Sequence, residues 1–156
     1  MAAPPRESPT LASIRTFLLA ALALGIIGTA GELILLGHIE SLAQWTPLAA
    51  LGASVLVLLW HAAAPGRNSV WTLRLLMVTF IVSGVAGVGL HYDGNAEFER
   101  ELHPKDAGMA FLTHVLAGAT PVLAPGSMVL LGLVGLAHAY RHPSATGGSD
   151  HRETAS

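Results

Sequence analysis

The chain has 156 residues, room for one domain. Apolar residues make up 52% and charged residues only 12%, against roughly 25% charged in soluble domains, so an integral membrane protein is expected. A net charge of −2 with mixed signs gives no footing for a nucleic-acid partner, and the absence of cysteine excludes disulfides, thiolate metal sites and cysteine nucleophiles.

Residues 1–13, MAAPPRESPTLAS, carry no periodicity and read as a disordered cytoplasmic tail. The run 14–36 is apolar apart from Arg15 and Glu32, and at about 1.5 Å per residue it is long enough to cross a hydrocarbon core of roughly 30 Å. A cleaved signal peptide is the rival reading, with Gly28-Thr29-Ala30 as the cut. The apolar run resumes at Leu33, past that cut, which favours a retained helix. A short polar link leads to Pro47, expected in the first turn of a second span over 47–64. Pro65-Gly66-Arg67-Asn68 is a turn, and 70–90 is the third span, with Arg74 near its start able to snorkel.

The segment HYDGNAEFERELHPKDAGM, His91 to Met109, then holds Asp93, Glu97, Glu99, Glu101 and Asp106, half of the 10 acidic residues. A short helix capped by Asn95 is expected here, on the outer face. The last apolar region, 107–140, is interrupted by Pro121 and Pro125-Gly126, which predicts a broken or kinked fourth span. Residues 141–156 read as a second disordered tail. The fold class expected is therefore all-α: a four-helix membrane bundle with a broken fourth span.

With four spans, Arg6, Arg15, Arg67, Arg74, Arg141 and Arg152 fall on one side and only Arg100 and Lys105 on the other. That asymmetry predicts a bacterial-type inner membrane protein with both termini cytoplasmic. Trp45 and Tyr92 fall at the outer boundary, and Trp60, Trp71 and Tyr140 at the inner one, as an aromatic belt requires. Gly25, Gly28 and Gly31, Gly84 and Gly87, and Gly132 and Gly135 recur at spacings of three, which suits close helix packing within one bundle better than a dedicated dimer face.

Glu32 is a carboxylate inside a span, which marks it as a functional candidate. The outer face adds His38, His91, Glu99, His103 and His114, a His/carboxylate set suited to a divalent transition metal. Glu99 and His103 stand at i and i+4, on one helical face. No HExxH signature is present, and a solvated acidic face is the competing reading. His61 and His138, at the inner ends of spans two and four, form the candidate axial pair for a haem. The span centres are nearly free of polar groups, which weakens a conduit reading based on Glu32.

The small size and packing glycines suit an accessory, assembly or scaffold protein, in the lipid bilayer with a membrane-protein partner or a second copy, better than a self-contained enzyme. The alternatives are a metal- or haem-binding membrane protein and a proton-coupled or small-solute conduit.

Overall fold

A computed structural model describes residues 7–37, 42–118, 120, 122 and 124–145. Five α-helices run in order: α1 (Pro9–Leu35), α2 (Leu42–Ala63), α3 (Arg67–Leu102), α4 (Gly108–Leu116) and α5 (Gly126–Ala139), with a 3-10 turn at Pro143–Ala145. There is no strand among the described residues. By length and composition, Pro9–Leu35, Gln44–Ala63 and Arg67–Leu102 are apolar enough to cross a membrane.

The helix ends differ from expectation for local reasons. Ser8 accepts the Leu11 N–H at 3.3 Å and Pro9 occupies the first turn, so α1 begins at Pro9 rather than at Ile14. It stops where Gly37 adopts a left-handed conformation (φ 66°) and its N–H returns to the Ile34 carbonyl. The second helix begins at Leu42, which leaves Pro47 inside it, where the missing N–H forfeits a single backbone bond near the helix start.

The expected separate outer helix does not form. Instead α3 runs unbroken for 36 residues, about 54 Å at the α-helical rise, because only Gly94 interrupts the helix formers from His91 to Leu102. Asn95 is accordingly not a cap. It is buried in α3, where its amide donates to the carbonyls of Val115 (2.9 Å) and Thr120 (2.7 Å) and its oxygen accepts from the Thr120 N–H and hydroxyl. This clasp, with Arg100 stacked over Phe111, holds α4 against the end of α3. The region 107–140 thus becomes two helices, and α5, with 14 residues, extends about 21 Å.

The helices α1, α2, α3 and α5 form a ring in which each packs against its neighbours. Glycines set the approach. A Cβ at Gly132 would stand 2.7 Å from the Met77 carbonyl oxygen, and one at Gly84 would stand 2.8 Å from that of Pro125. Gly135 faces Met77 and Leu22, and Gly25 faces Leu131, so these residues serve packing inside the ring. Gly28 and Gly31 have open space beside them instead. The ring interior is filled by Leu22, Ile26, Leu51, Leu73, Met77 and Phe80, all fully buried. Its exterior is just as apolar: Leu24, Leu56, Leu75 and Leu130 are all exposed.

Candidate functional site

The ring places the start of α1, the end of α2, the start of α3 and the end of α5 at one end, which also carries Arg15, Arg67, Arg74 and Arg141. Two of these arginines tie down the C-terminus of α5. The Arg15 guanidinium donates to the carbonyls of His138 (2.6 Å) and Arg141 (3.2 Å) and pairs with Glu7, and Arg74 donates to the carbonyl of Ala139 at 2.6 Å. Cationic donors at the negative pole of a helix satisfy carbonyls that have no partner within the helix. Arg74 therefore works inward as a clamp rather than reaching outward by snorkelling.

Within this basic end His61 and His138 meet. Each is only 3% exposed, and their Nε2 atoms lie 3.2 Å apart with the rings edge to face. The Nδ1 of His138 lies 3.0 Å from the Arg15 carbonyl oxygen, which only accepts, so this Nδ1 carries the proton and Nε2 presents a lone pair. The Nδ1 of His61 lies 2.9 Å from the Ser69 hydroxyl. That hydroxyl can point at His61 Nδ1 or at a backbone carbonyl, that of Gly66 or, at 3.4 Å, that of Ala64. It donates to His61 Nδ1 when His61 holds its proton on Nε2, or it donates to the Gly66 carbonyl (3.0 Å) and accepts from His61 Nδ1–H. Both imidazoles can thus direct bare Nε2 atoms at one point, each fixed from behind by an oxygen.

His142 completes the group. Its ligand atom and those of His61 and His138 all lie within 4.8 Å of one another. Arg141, in the left-handed region at φ 46°, turns the chain back after α5 and brings His142 over the pair. For a residue with a Cβ that conformation costs on the order of 1 kcal/mol, and such strain tends to gather where a site needs it. Burial first, then His138, His61 and Arg15, lower the His142 pKa to about 4, with Glu7 acting weakly the other way, so this imidazole is neutral at physiological pH. An open cleft of about 300 Å³, lined by Glu7, Arg15 and the three histidines among others, gives access from outside.

The opposite, acidic end gathers only part of the expected outer set. Glu99, His103 and His114 bring their ligand atoms within 4.8 Å of one another. Glu32 and His91 join no group of three such ligands among the described residues, and His38 lies outside them. Glu32 is exposed on α1 and does not line that cleft. Among the described residues, then, the expected outer set is represented by the Glu99, His103 and His114 group alone.

The histidine pair near the α2 and α5 ends was legible in the sequence, and His142 was the omission. It lies past the end of α5, where Tyr140 is extended and Arg141 left-handed, so no helical spacing places it and a reading of 141–156 as a tail passes over it. Comparison with protein-family models, with curated proteins and with solved structures returned no match.

Proposed function

We propose that the chain is a small polytopic membrane protein that binds a divalent transition metal at its basic end through His61, His138 and His142. The observation that carries this reading is the 3.2 Å approach of two buried Nε2 atoms, each held from behind through Nδ1. Metal–nitrogen bonds of about 2.0–2.1 Å in a tetrahedral site put two ligand nitrogens roughly 3.3 Å apart, so the pair needs almost no movement to chelate. Imidazole ligands without thiolate suit zinc, copper, nickel or iron. Oxygen partners on the far ring nitrogens are the usual outer shell of such sites. A haem is disfavoured: its axial ligands stand on opposite faces of a flat macrocycle, and imidazoles in direct contact leave no slot for one.

The setting is a bilayer. Length and hydropathy support spans by α1, α2 and the first part of α3, and the concentration of arginine supports a cytoplasmic basic end. In this reading α5 is a short fourth span and α4 a half-helix under the outer surface. Reporter fusions at either terminus test the orientation; activity of a periplasm-specific reporter at the C-terminus would refute it.

The decisive measurement is zinc content after equilibrium dialysis in mild detergent, with no metal-binding tag. His61→Gln/His138→Gln removes both ring nitrogens and is expected to lose one equivalent while eluting as the same monodisperse species. Zinc content unchanged by that pair, with the fold intact, refutes the site.

A second reading is favoured by one face of α1. Gly28 and Gly31 are open, and Glu32, one turn from Gly28, is an exposed carboxylate on an apolar helix. An ionised group there is costly in lipid, which favours a protein partner over that face and hence a role within a larger membrane assembly. Loss of a co-purifying membrane protein in Glu32→Leu supports this, and identical behaviour of the variant removes it.

A further inference from the structure

We propose that the acidic end holds a second metal site, of open type, with Glu99, His103 and His114 as ligands and Asp106 behind them. The end of α3 supplies Glu99 and His103, α4 supplies His114, and the turn between them supplies Asp106. His103 Nδ1 lies 2.9 Å from the Glu99 carboxylate and His114 Nδ1 lies 2.9 Å from that of Asp106. His114 thus donates Nδ1–H to Asp106 and keeps a bare Nε2, whereas His103 Nδ1 and the Glu99 oxygen lie close enough to hold one ion between them once their shared proton has left. The two rings stand 5.1 Å apart, tilted by 42°.

The Asp106 carboxylate behind His114 fixes that ring and raises its basicity as a ligand. The placement of Glu99 adds a second argument. It is 8% exposed although it is an acid at the wet end of a long helix, and a cation beside it offsets the cost of that burial. The side chains of His103 and His114 are 50% and 47% exposed, so solvent reaches both ligands. Two imidazoles and one carboxylate with open positions suit zinc, cobalt(II), manganese or iron(II), and solvent ligands complete the shell. The exposed Asp93, Glu97 and Glu101 on the same stretch raise the local cation concentration.

The test uses Co²⁺, whose visible absorption reports its coordination, in the full chain carrying His61→Gln/His138→Gln so that the basic end is silent. One equivalent of Co²⁺ is expected to remain, displaced by stoichiometric Zn²⁺ and not by a hundredfold excess of Ca²⁺. His114→Ala is expected to abolish it, and Asp106→Asn, a surface change that leaves every ligand in place, to weaken it about tenfold. No saturable Co²⁺ binding, binding that His114→Ala leaves unchanged, or displacement by Ca²⁺ as expected of a simple acidic surface would each overturn the proposal.

Discussion

The two ends of this molecule use the same side chain in opposite surroundings. At the basic end two histidines are almost fully buried, and their far nitrogens rest on neutral oxygens: a backbone carbonyl and a serine hydroxyl. At the acidic end two histidines are half exposed, and their Nδ1 atoms rest on carboxylates. Burial decides which anchor is affordable. A carboxylate beside His138 would need its own compensation inside an apolar ring, whereas Asp106 stands where water screens it and Glu99 has the His103 imidazole beside it. Three neutral imidazoles leave the full charge on a bound dication, and the carboxylate at the other end offsets part of it. The two ends should therefore respond differently to calcium, to pH and to the same substitution.

The largest expected effect comes from the packing that both ends share. Gly132→Ala places a methyl group 2.7 Å from the Met77 carbonyl oxygen, and a backbone atom in the middle of α3 moves only if the helix moves. We expect about 3 kcal/mol of destabilisation in detergent unfolding, the upper part of the range for overpacking. Metal affinity should fall more at the basic end, whose ligands come from α2 and from α5 with the turn after it, than at the acidic end, whose ligands sit on one α3–α4 hairpin. Equal losses at both ends would mean that the hairpin is held by the ring rather than by its own contacts.

Asn95 tests the hairpin by itself. Asn95→Ala removes a donor from the carbonyls of Val115 and Thr120 and an acceptor from the Thr120 N–H, at an expected cost of about 2 kcal/mol. The acidic-end Co²⁺ site should weaken with it, and the basic-end zinc should be unaffected. Loss of zinc in this variant would show that the two ends are coupled through α3.

The sequence was most legible where a single physical rule acts over many residues. Mean hydropathy and run length located the three long apolar helices, and the prolines at 121 and 125 marked the interruption before α5. It was least legible where two rules compete. Asn95 has the chemistry of a helix cap, and only tertiary contact with α4 makes it a buried clasp. Arg74 has the stem to snorkel, but the Ala139 carbonyl at the end of α5 lies within its reach. The acidic-end histidines sorted by geometry that spacing does not encode, since Glu99 and His103 share a turn while His114 arrives across a loop. His142 escaped because its position depends on Arg141 in a left-handed conformation, which no residue preference suggests.

The smallest effect expected is the most diagnostic of how the basic end would work. Ser69 is buried, receives the Gly66 N–H at 3.0 Å and has the Gly66 carbonyl at the same distance. With no metal, the hydroxyl donates to His61 Nδ1 and His61 donates its Nε2–H to His138. When a metal binds, that proton must leave the line between the two Nε2 atoms. His61 then carries its proton on Nδ1, and the hydroxyl rotates to donate to Gly66 and accept from His61. Ser69→Ala deprives both tautomers of their partner while leaving all three ligands in place, so affinity should fall about tenfold, some 1.4 kcal/mol, with unchanged stoichiometry. Ser69→Thr keeps the hydroxyl and should restore most of the loss wherever its methyl group is accommodated. Imidazole ¹⁵N shifts separate this role from a packing role: the Nδ1-protonated form of His61 should dominate in the zinc-bound protein and the Nε2-protonated form without zinc. A His61 tautomer that does not change with zinc would leave Ser69 as the cap of α3 alone.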